Sequence, residues 1–280
     1  MKRLKIAILG AGNMGSSLLG GLLKSGFAKP GEVIATVRSE ERAAELRTRY
    51  GIRATAGGNA EAAAAAEIVI LAVKPGTIPK VVSEIAGGMR GDQILLSLAA
   101  AVPIAVIEKR LTRKLAVFRA MPNIPVVVEE GAIAICANAV AKPAQWKKIE
   151  GLFRTVGVVT AVEEEMMDAV TALSGSGPAY VYMVIEAFIA GGVKMGLSRQ
   201  IATKLAEQTV LGAAKHVRQS ELHPAILRDE VITPGGTTIV AIHELERNGL
   251  RSTLISAIET ATKHAKERAQ ALVQKLEAEP

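Results

Sequence analysis

Several short stretches of this chain put residues able to do chemistry at spacings that a ligand needs. Thr233-Pro234-Gly235-Gly236-Thr237-Thr238 stands directly before the apolar-periodic run Ile239, Val240, Ile242 and Leu245. Pro234 ends whatever precedes it, the glycines let backbone approach a ligand, and the threonines would crown a helix N-terminus. Such a turn can bind an anion through N–H groups and two hydroxyls; an ordinary loop with a threonine cap is the alternative. Gly10-Ala11-Gly12-Asn13-Met14-Gly15 has the G-x-G-x-x-G spacing of a dinucleotide loop. Gly10 would permit the tight turn, Gly12 would let the pyrophosphate touch backbone, and Gly15 would let helix and strand pack closely. Arg38-Ser39 stand where an NAD-specific site places an acid, and both can bind a 2'-phosphate, so NADPH is expected over NADH. Glu40 and Glu41, which follow, read as first-turn acids of the next helix. Lys74 ends an apolar run before Pro75, where it either meets a ligand or reaches out to solvent.

These residues need a frame, and the hydrophobic pattern supplies one. Strand-like runs at 5–9, 33–37, 52–54, 68–73, 94–98 and 115–120 alternate with helical segments at 16–25, 40–50, 60–66 and 77–88. Asn59 would cap the alanine-rich helix. Met121-Pro122-Asn123-Ile124-Pro125 then makes a rigid turn at the sheet edge that carries the Gly-rich loop and Lys74. Strands near 131–136 and 156–162, around a helix at 144–154, extend the sheet. The expected fold is α/β: an N-terminal Rossmann-type doubly wound sheet over 1–162 and an all-α domain over 163–280. In the second, a helix from 163 to 173 is interrupted by Ser174-Gly175-Ser176-Gly177-Pro178, and helices follow at 179–194, 198–219, 224–230, 237–247 and 252–276. The 179–194 helix is apolar on nearly all faces, which predicts burial on both sides and hence a homodimer through this domain.

Composition narrows the classes of function. A net charge of +7 admits nucleic acid or anionic metabolites as partners, but Lys and Arg are spread over many helix faces without interleaved aromatics, which favours metabolites. No His/Cys cluster has metal spacing, and His243-Glu244 lacks the second histidine of a zinc-protease helix. Cys136 is the single cysteine, which fits a reducing compartment and a cytoplasmic location; its apolar setting marks a buried strand thiol. The chain opens on a strand without room for a signal peptide, and its most apolar helix, shorter than the ~20 residues of a span and carrying Glu186, predicts no membrane.

Taken together, Gly10 to Gly15, Ala72-Val73-Lys74-Pro75, Met121-Pro122-Asn123, Ser174-Gly175-Ser176-Gly177-Pro178-Ala179-Tyr180 and the 229–244 stretch resemble pyrroline-5-carboxylate reductase over nearly the whole chain. The resemblance implies NADPH- or NADH-dependent reduction of the ring imine of 1-pyrroline-5-carboxylate to L-proline, and a homodimer with a ring of dimers above it. It implies that Gly236, Thr237 and Thr238 hold the substrate, that Thr238 bonds the ring nitrogen and assists the proton step, and that Glu164 lies at the substrate pocket. It further implies cofactor contacts at Asn13, Met14, Arg38, Asn59, Ala72, Val73, Lys74, Pro75 and Ala100, with Arg38 and Asn59 beside the 2'-phosphate. The chain departs from the family at Ile124, where Thr is frequent, at Leu98 and Ala101 in an Ala-Ala-Gly-Val turn, and at Glu230, where some relatives have Asn. A beta-hydroxyacid dehydrogenase would need a lysine where Val181 stands. A nonenzymatic cofactor-binding regulator predicts binding without turnover.

Overall fold

The structure, a computed structural model, describes residues 4–278. β1 (Leu4–Leu9), β2 (Val33–Val37), β3 (Arg53–Ala56), β4 (Ala66–Leu71), β5 (Ile94–Ser97), β6 (Ala116–Met121), β7 (Gly131–Ala137) and β8 (Gly157–Ala161) form one sheet in the order β3-β2-β1-β4-β5-β6-β7-β8. Pairing is parallel from β3 to β6, antiparallel between β6 and β7, and parallel again between β7 and β8. The order reverses between β1 and β4, the crevice where a doubly wound sheet binds its ligand.

Both faces are covered, so strands read as apolar runs rather than alternating ones. Ile6, Ile8, Ile68, Ile70 and Phe118 pack under α1 (Asn13–Lys24), α2 (Glu40–Tyr50) and, further along, α6 (Pro143–Arg154). Ala7, Leu9, Val69, Leu71 and Val117 face α3 (Asn59–Ala65), α4 (Ile78–Ala86) and α5 (Ile104–Glu108). Truncating Phe118 or Phe153, both fully buried, to Ala would cost about 3–5 kcal/mol by this logic. The alanine run makes a helix because its small side chains let it lie close on the sheet. Its last carbonyls are answered from outside: Gln93 Nε2 donates to Ala63 and Ala66 O at 2.7 Å, and Arg90 donates to Ala64 and Ala66 O. Asn59 does not cap it. Gly58, at φ 80°, is the cap residue, and Asn59 turns its side chain elsewhere.

After β8 no further strand occurs among the described residues. Residues 164–166 form a 3-10 turn, α7 spans Met167–Val170, and a π-turn over Thr171–Gly175 leads into α8 (Gly177–Lys194). The expected interruption at 174–178 is present as the end of a π-turn at Gly175 and a bend at Ser176, the kind of irregularity that recurs at functional sites. Gly175 packs against Met121, whose Cε would lie 2.7 Å from an added Cβ. α9 (Arg199–Ser220), α10 (Pro224–Glu230), α11 (Thr237–Arg247) and α12 (Leu250–Ala278) complete the chain.

By packing, the chain divides into one unit of 1–176 plus 261–280 and a second of 177–260. The strand pattern ends near 162, but Met167 and Ala172 are buried in the first unit, Asn123 Nδ2 donates to Ser174 O at 3.0 Å, and Leu272 and Val273 pack on the same core. Those contacts carry the first unit past the end of the strands and reclaim the end of α12.

Within the second unit α8 lies along α9, with Gly192 against Ala202. Expected to be covered on both sides, α8 has no buried residue in the single chain, and Val181, Tyr182, Met183 and Phe188 are exposed. Against the expectation of a helix too short for a span, the helical stretch Glu164–Lys194 runs 31 residues with mean hydropathy 1.2, long and apolar enough by those measures to cross a membrane.

Candidate functional site

The loop after β1 turns back because Gly10, at φ 85°, and Ala11 both donate their N–H to Thr36 O of β2, at 2.9 and 3.0 Å. Each glycine of the motif has a separate physical reason. A Cβ on Gly10 would lie 2.3 Å from Val73 Cγ1, and one on Gly15 would press on Ala72 Cβ and Ile8 Cγ2 at 3.1 and 3.3 Å. A Cβ on Gly12 would meet only Gly10 O at 3.9 Å. Gly10 and Gly15 are therefore packing and turn residues, whereas the space beside Gly12 is left open.

That space belongs to a cavity of about 940 Å³ at the carboxyl edge of the sheet, ample for a dinucleotide half. Of the residues expected to touch cofactor, Gly10, Gly12, Asn13, Arg38, Asn59, Ala72, Val73 and Lys74 line it. Met14, Gly15, Pro75 and Ala100 do not. Met14 packs against the core, Gly15 is buried by the close helix–strand approach, Pro75 opens the 3-10 turn Pro75–Thr77, and Ala100 sits in the turn after β5. Lys74 is exposed on the cavity wall, so of the two readings of its spacing the geometry permits the ligand one. α1 opens at the same wall with Gly12 as its cap residue and no side-chain cap, leaving first-turn N–H groups for an anion.

Arg38 is exposed at the end of β2 and lines the cavity with Ser39 and Arg42. Ser39 caps α2, its Oγ accepting the Arg42 N–H at 3.4 Å. Glu40 and Glu41 are first-turn acids, as their spacing indicated, and Glu40 is drawn aside into an ion pair with Arg47. Arg38 and Arg42 both line the cavity, Arg42 with its guanidinium ion-paired to Glu45. Arg42, which sequence reasoning passed over, donates to Ser16 Oγ at 2.8 Å and so ties α2 to the phosphate helix. Asn59 is held from two sides: its Oδ1 accepts from Thr36 Oγ1 at 2.6 Å, and its Nδ2 donates to Glu84 Oε2 at 2.9 Å.

In the second unit the 233–238 turn has the form its residues suggested. Gly235 takes φ 69°, Gly236 N–H donates to Thr233 O at 3.0 Å, and α11 begins at Thr237. A Cβ on Gly236 would lie 2.3 Å from Thr233 Oγ1 and 3.2 Å from Thr233 O, so a side chain there would have to displace the threonine hydroxyl. Gly236 is itself the cap residue and no side chain caps the helix, so the threonine-cap alternative does not hold.

Glu164 lies in the first unit, where its Oε1 accepts the Ile104 N–H at 2.8 Å and an Arg119 Nη1–H at 3.2 Å. Arg119 was missed, although a charge inside the apolar run Leu115-Ala116-Val117-Phe118-Arg119-Ala120 is a readable signal that a partner must come from elsewhere. Cys136, opposite Arg119 on β7, is a buried free thiol as expected. Burial and, next, the Glu164 carboxylate push it from 9.0 up to about 12.

Comparison with known proteins bears on this geometry. The chain is 40% identical over 267 residues to pyrroline-5-carboxylate reductase of Methanosarcina acetivorans, covering 95% of this chain and 98% of that one. The chain belongs to the pyrroline-5-carboxylate reductase family. A solved pyrroline-5-carboxylate reductase from Coxiella burnetii superposes with a TM-score of 0.88 at 36% identity, over 95% of this chain and 99% of that one. The enzyme from Plasmodium falciparum, solved with NADP bound, gives 0.85 at 30% identity over 96% and 99%. Residues 164–268 match the family model for pyrroline-5-carboxylate reductase dimerisation, and residues 5–101 match that for NADP oxidoreductase, coenzyme F420-dependent. The dimerisation match covers the exposed apolar α8, and the chain is an oligomer-forming member of this reductase family.

Proposed function

We propose that this chain catalyses the NAD(P)H-dependent reduction of 1-pyrroline-5-carboxylate to L-proline, the last step of proline biosynthesis. The observation that carries the reading is the open phosphate loop and arginine-lined cavity in a chain that shares two-fifths of its residues with a reductase of that name. NADPH is the expected reductant, with NADH as an alternative, because Arg38 and Ser39 stand where an acid would have repelled a 2'-phosphate. When bound, the dihydronicotinamide supplies the hydride.

The chain's own residues do the rest. Gly12, Asn13 and the start of α1 receive the pyrophosphate; Arg38, assisted by Asn59, holds the 2'-phosphate; Ala72, Val73 and Lys74 form the wall between them. Met14, Gly15, Pro75 and Ala100 complete the cofactor contacts in this reading. Gly236, Thr237 and Thr238 offer α11's first N–H groups to the substrate carboxylate, a setting worth about 0.3–2 kcal/mol. Thr238 orients the ring nitrogen. A threonine hydroxyl is too weak an acid to protonate an imine unaided at neutral pH, so it positions an already protonated substrate or relays a proton from water. Glu164 serves the substrate as an acceptor.

The active form is a homodimer built through the C-terminal domain, with a ring of dimers above it. The exposed Tyr182, Met183 and Phe188 support this reading, and the same partner face accounts for α8 without a membrane. Nucleic acid is not a partner in this reading, and the location is cytoplasmic, in keeping with the unpaired Cys136. The test is one assay. Purified protein should oxidise NADPH with 1-pyrroline-5-carboxylate and not with 2-keto acids; NADPH binding without turnover would leave only a cofactor-binding regulator.

A further inference from the structure

Arg119 is a charged residue in the middle of an apolar strand, and only 5% of it is exposed. A guanidinium so removed from water needs a partner, and among the described residues its ion pair is with Glu164 Oε1 at 3.2 Å. The same oxygen accepts the N–H of Ile104, the first residue of α5, at 2.8 Å. Two donors from separate elements thus converge on Oε1, whereas Glu164 Oε2 has no hydrogen bond among the described residues. The anchor is also well placed. Arg119 pairs across the sheet with Ser97, Ser97 with Leu71, and Leu71 with Leu9. Gly10 and Ala72 follow directly on Leu9 and Leu71, and both line the cofactor cavity. The anchor therefore sits in the last sheet row before the cofactor loops, where backbone ladders rather than a loop fix its position.

We propose that Arg119 is a positioning residue for the reaction: it fixes the Glu164 carboxylate through Oε1 so that Oε2 is presented to the substrate in one orientation. This role rests on the reading of Glu164 as a substrate residue. A plain structural staple would instead affect folding, or both ligands alike.

The experiment is steady-state kinetics on the full-length enzyme, varying 1-pyrroline-5-carboxylate and NADPH separately, for wild type, Arg119→Met, Arg119→Lys, Glu164→Gln and the double variant Glu164→Gln/Arg119→Met. Arg119→Met should raise the KM for the imine about tenfold or more while the KM for NADPH stays within about twofold. Arg119→Lys, which keeps the charge, should return the imine KM to within about threefold of wild type. The double variant should match Glu164→Gln alone, because Arg119 acts only through Glu164. Parallel rises in both KM values, or effects of the two substitutions that multiply, would overturn the role. Should Arg119→Met fail to fold because it strands a carboxylate, the neutral double variant decides: a KM equal to that of Glu164→Gln supports the role, and a further rise beyond about threefold overturns it. Absence of turnover by the wild-type chain would overturn the functional reading and this role with it, whereas wild-type turnover with independent effects overturns the role alone.

Discussion

Adding one methyl group to Gly12 and adding it to Gly10 should have opposite consequences, although the two residues share one loop. At Gly10 the backbone has φ 85°, and the new Cβ would lie 2.3 Å from Val73 Cγ1 and 3.1 Å from Val73 N and Cα. The left-handed conformation costs an L-residue about 1–2 kcal/mol, and overpacking against an immovable neighbour a further ~1–3. Gly10→Ala should therefore lose about 2–5 kcal/mol and melt roughly 4–20 °C lower. Gly12 has φ −76°, ordinary for any residue, and its Cβ would meet only Gly10 O at 3.9 Å. The cost there is that of a poorer helix cap, about 0.5–1 kcal/mol and ~1–4 °C. Under the proposed function, the methyl group nevertheless occupies the place where pyrophosphate would reach the α1 N–H groups. Losing even one charge-assisted hydrogen bond there costs about 1.5–3 kcal/mol, or roughly 10–150-fold in affinity. Thermal unfolding and NADPH titration by fluorescence, run on both variants, separate the two effects. The reasoning is refuted if folded Gly12→Ala keeps NADPH affinity within about threefold of wild type, or if it melts as low as Gly10→Ala.

Other outcomes follow from the same geometry. Arg38→Asp should raise the KM for NADPH about 10–100-fold and leave that for NADH nearly unchanged, since it removes a phosphate partner and adds a repelling charge; equal effects on both would remove Arg38 from the 2'-phosphate. Thr238→Ala should depress turnover far more than NADPH affinity, and unchanged turnover would show that the hydroxyl does no work in the proton step. Ala101 sits at φ 62° in the turn after β5, so Ala101→Gly should relieve left-handed strain and, net of backbone entropy, stabilise by about 0.5–1 kcal/mol in denaturant titration. The Cys136 thiol keeps its proton to about pH 12 when folded but only to about 9.0 when unfolded, so the unfolded state binds fewer protons between those values. Its contribution to stability is present below pH 9 and falls as pH rises through that window, and Cys136→Ala should flatten the decline of melting temperature above pH 9 relative to wild type. Native Cys136 should likewise resist iodoacetamide at pH 8 until the protein is unfolded.

Much of the cofactor half was legible in the sequence because its signals are local. Apolar runs of strand length separated by helical segments placed β2 at 33–37 and α2 at 40–50, and the G-x-G-x-x-G spacing located the Gly-rich loop. Wherever a residue's role depends on a neighbour distant in sequence, local reading failed. Asn59 looked like a helix cap, the commonest use of Asn before an alanine run, yet it bridges Thr36 and Glu84. Arg42, in the first turn of α2, lines the cavity although nothing in its local sequence marks it. The 174–178 stretch reads as a break because Ser and Gly are poor helix formers, and the structure has a π-turn ending at Gly175, a bend at Ser176 and a new helix from Gly177.

The sequence by itself determined the class of cofactor, the alternation of strands and helices, the glycine-bearing turns and the need for a partner chain. Each is set by composition, periodicity or backbone freedom within a few residues. Tertiary structure alone decided which oxygen of Glu164 is spent on Arg119 and Ile104, where the first unit ends, and that the space beside Gly12 is open while the space beside Gly10 is filled. Those are facts about groups 45 or 60 residues apart brought within hydrogen-bond reach, and no local propensity encodes such a distance.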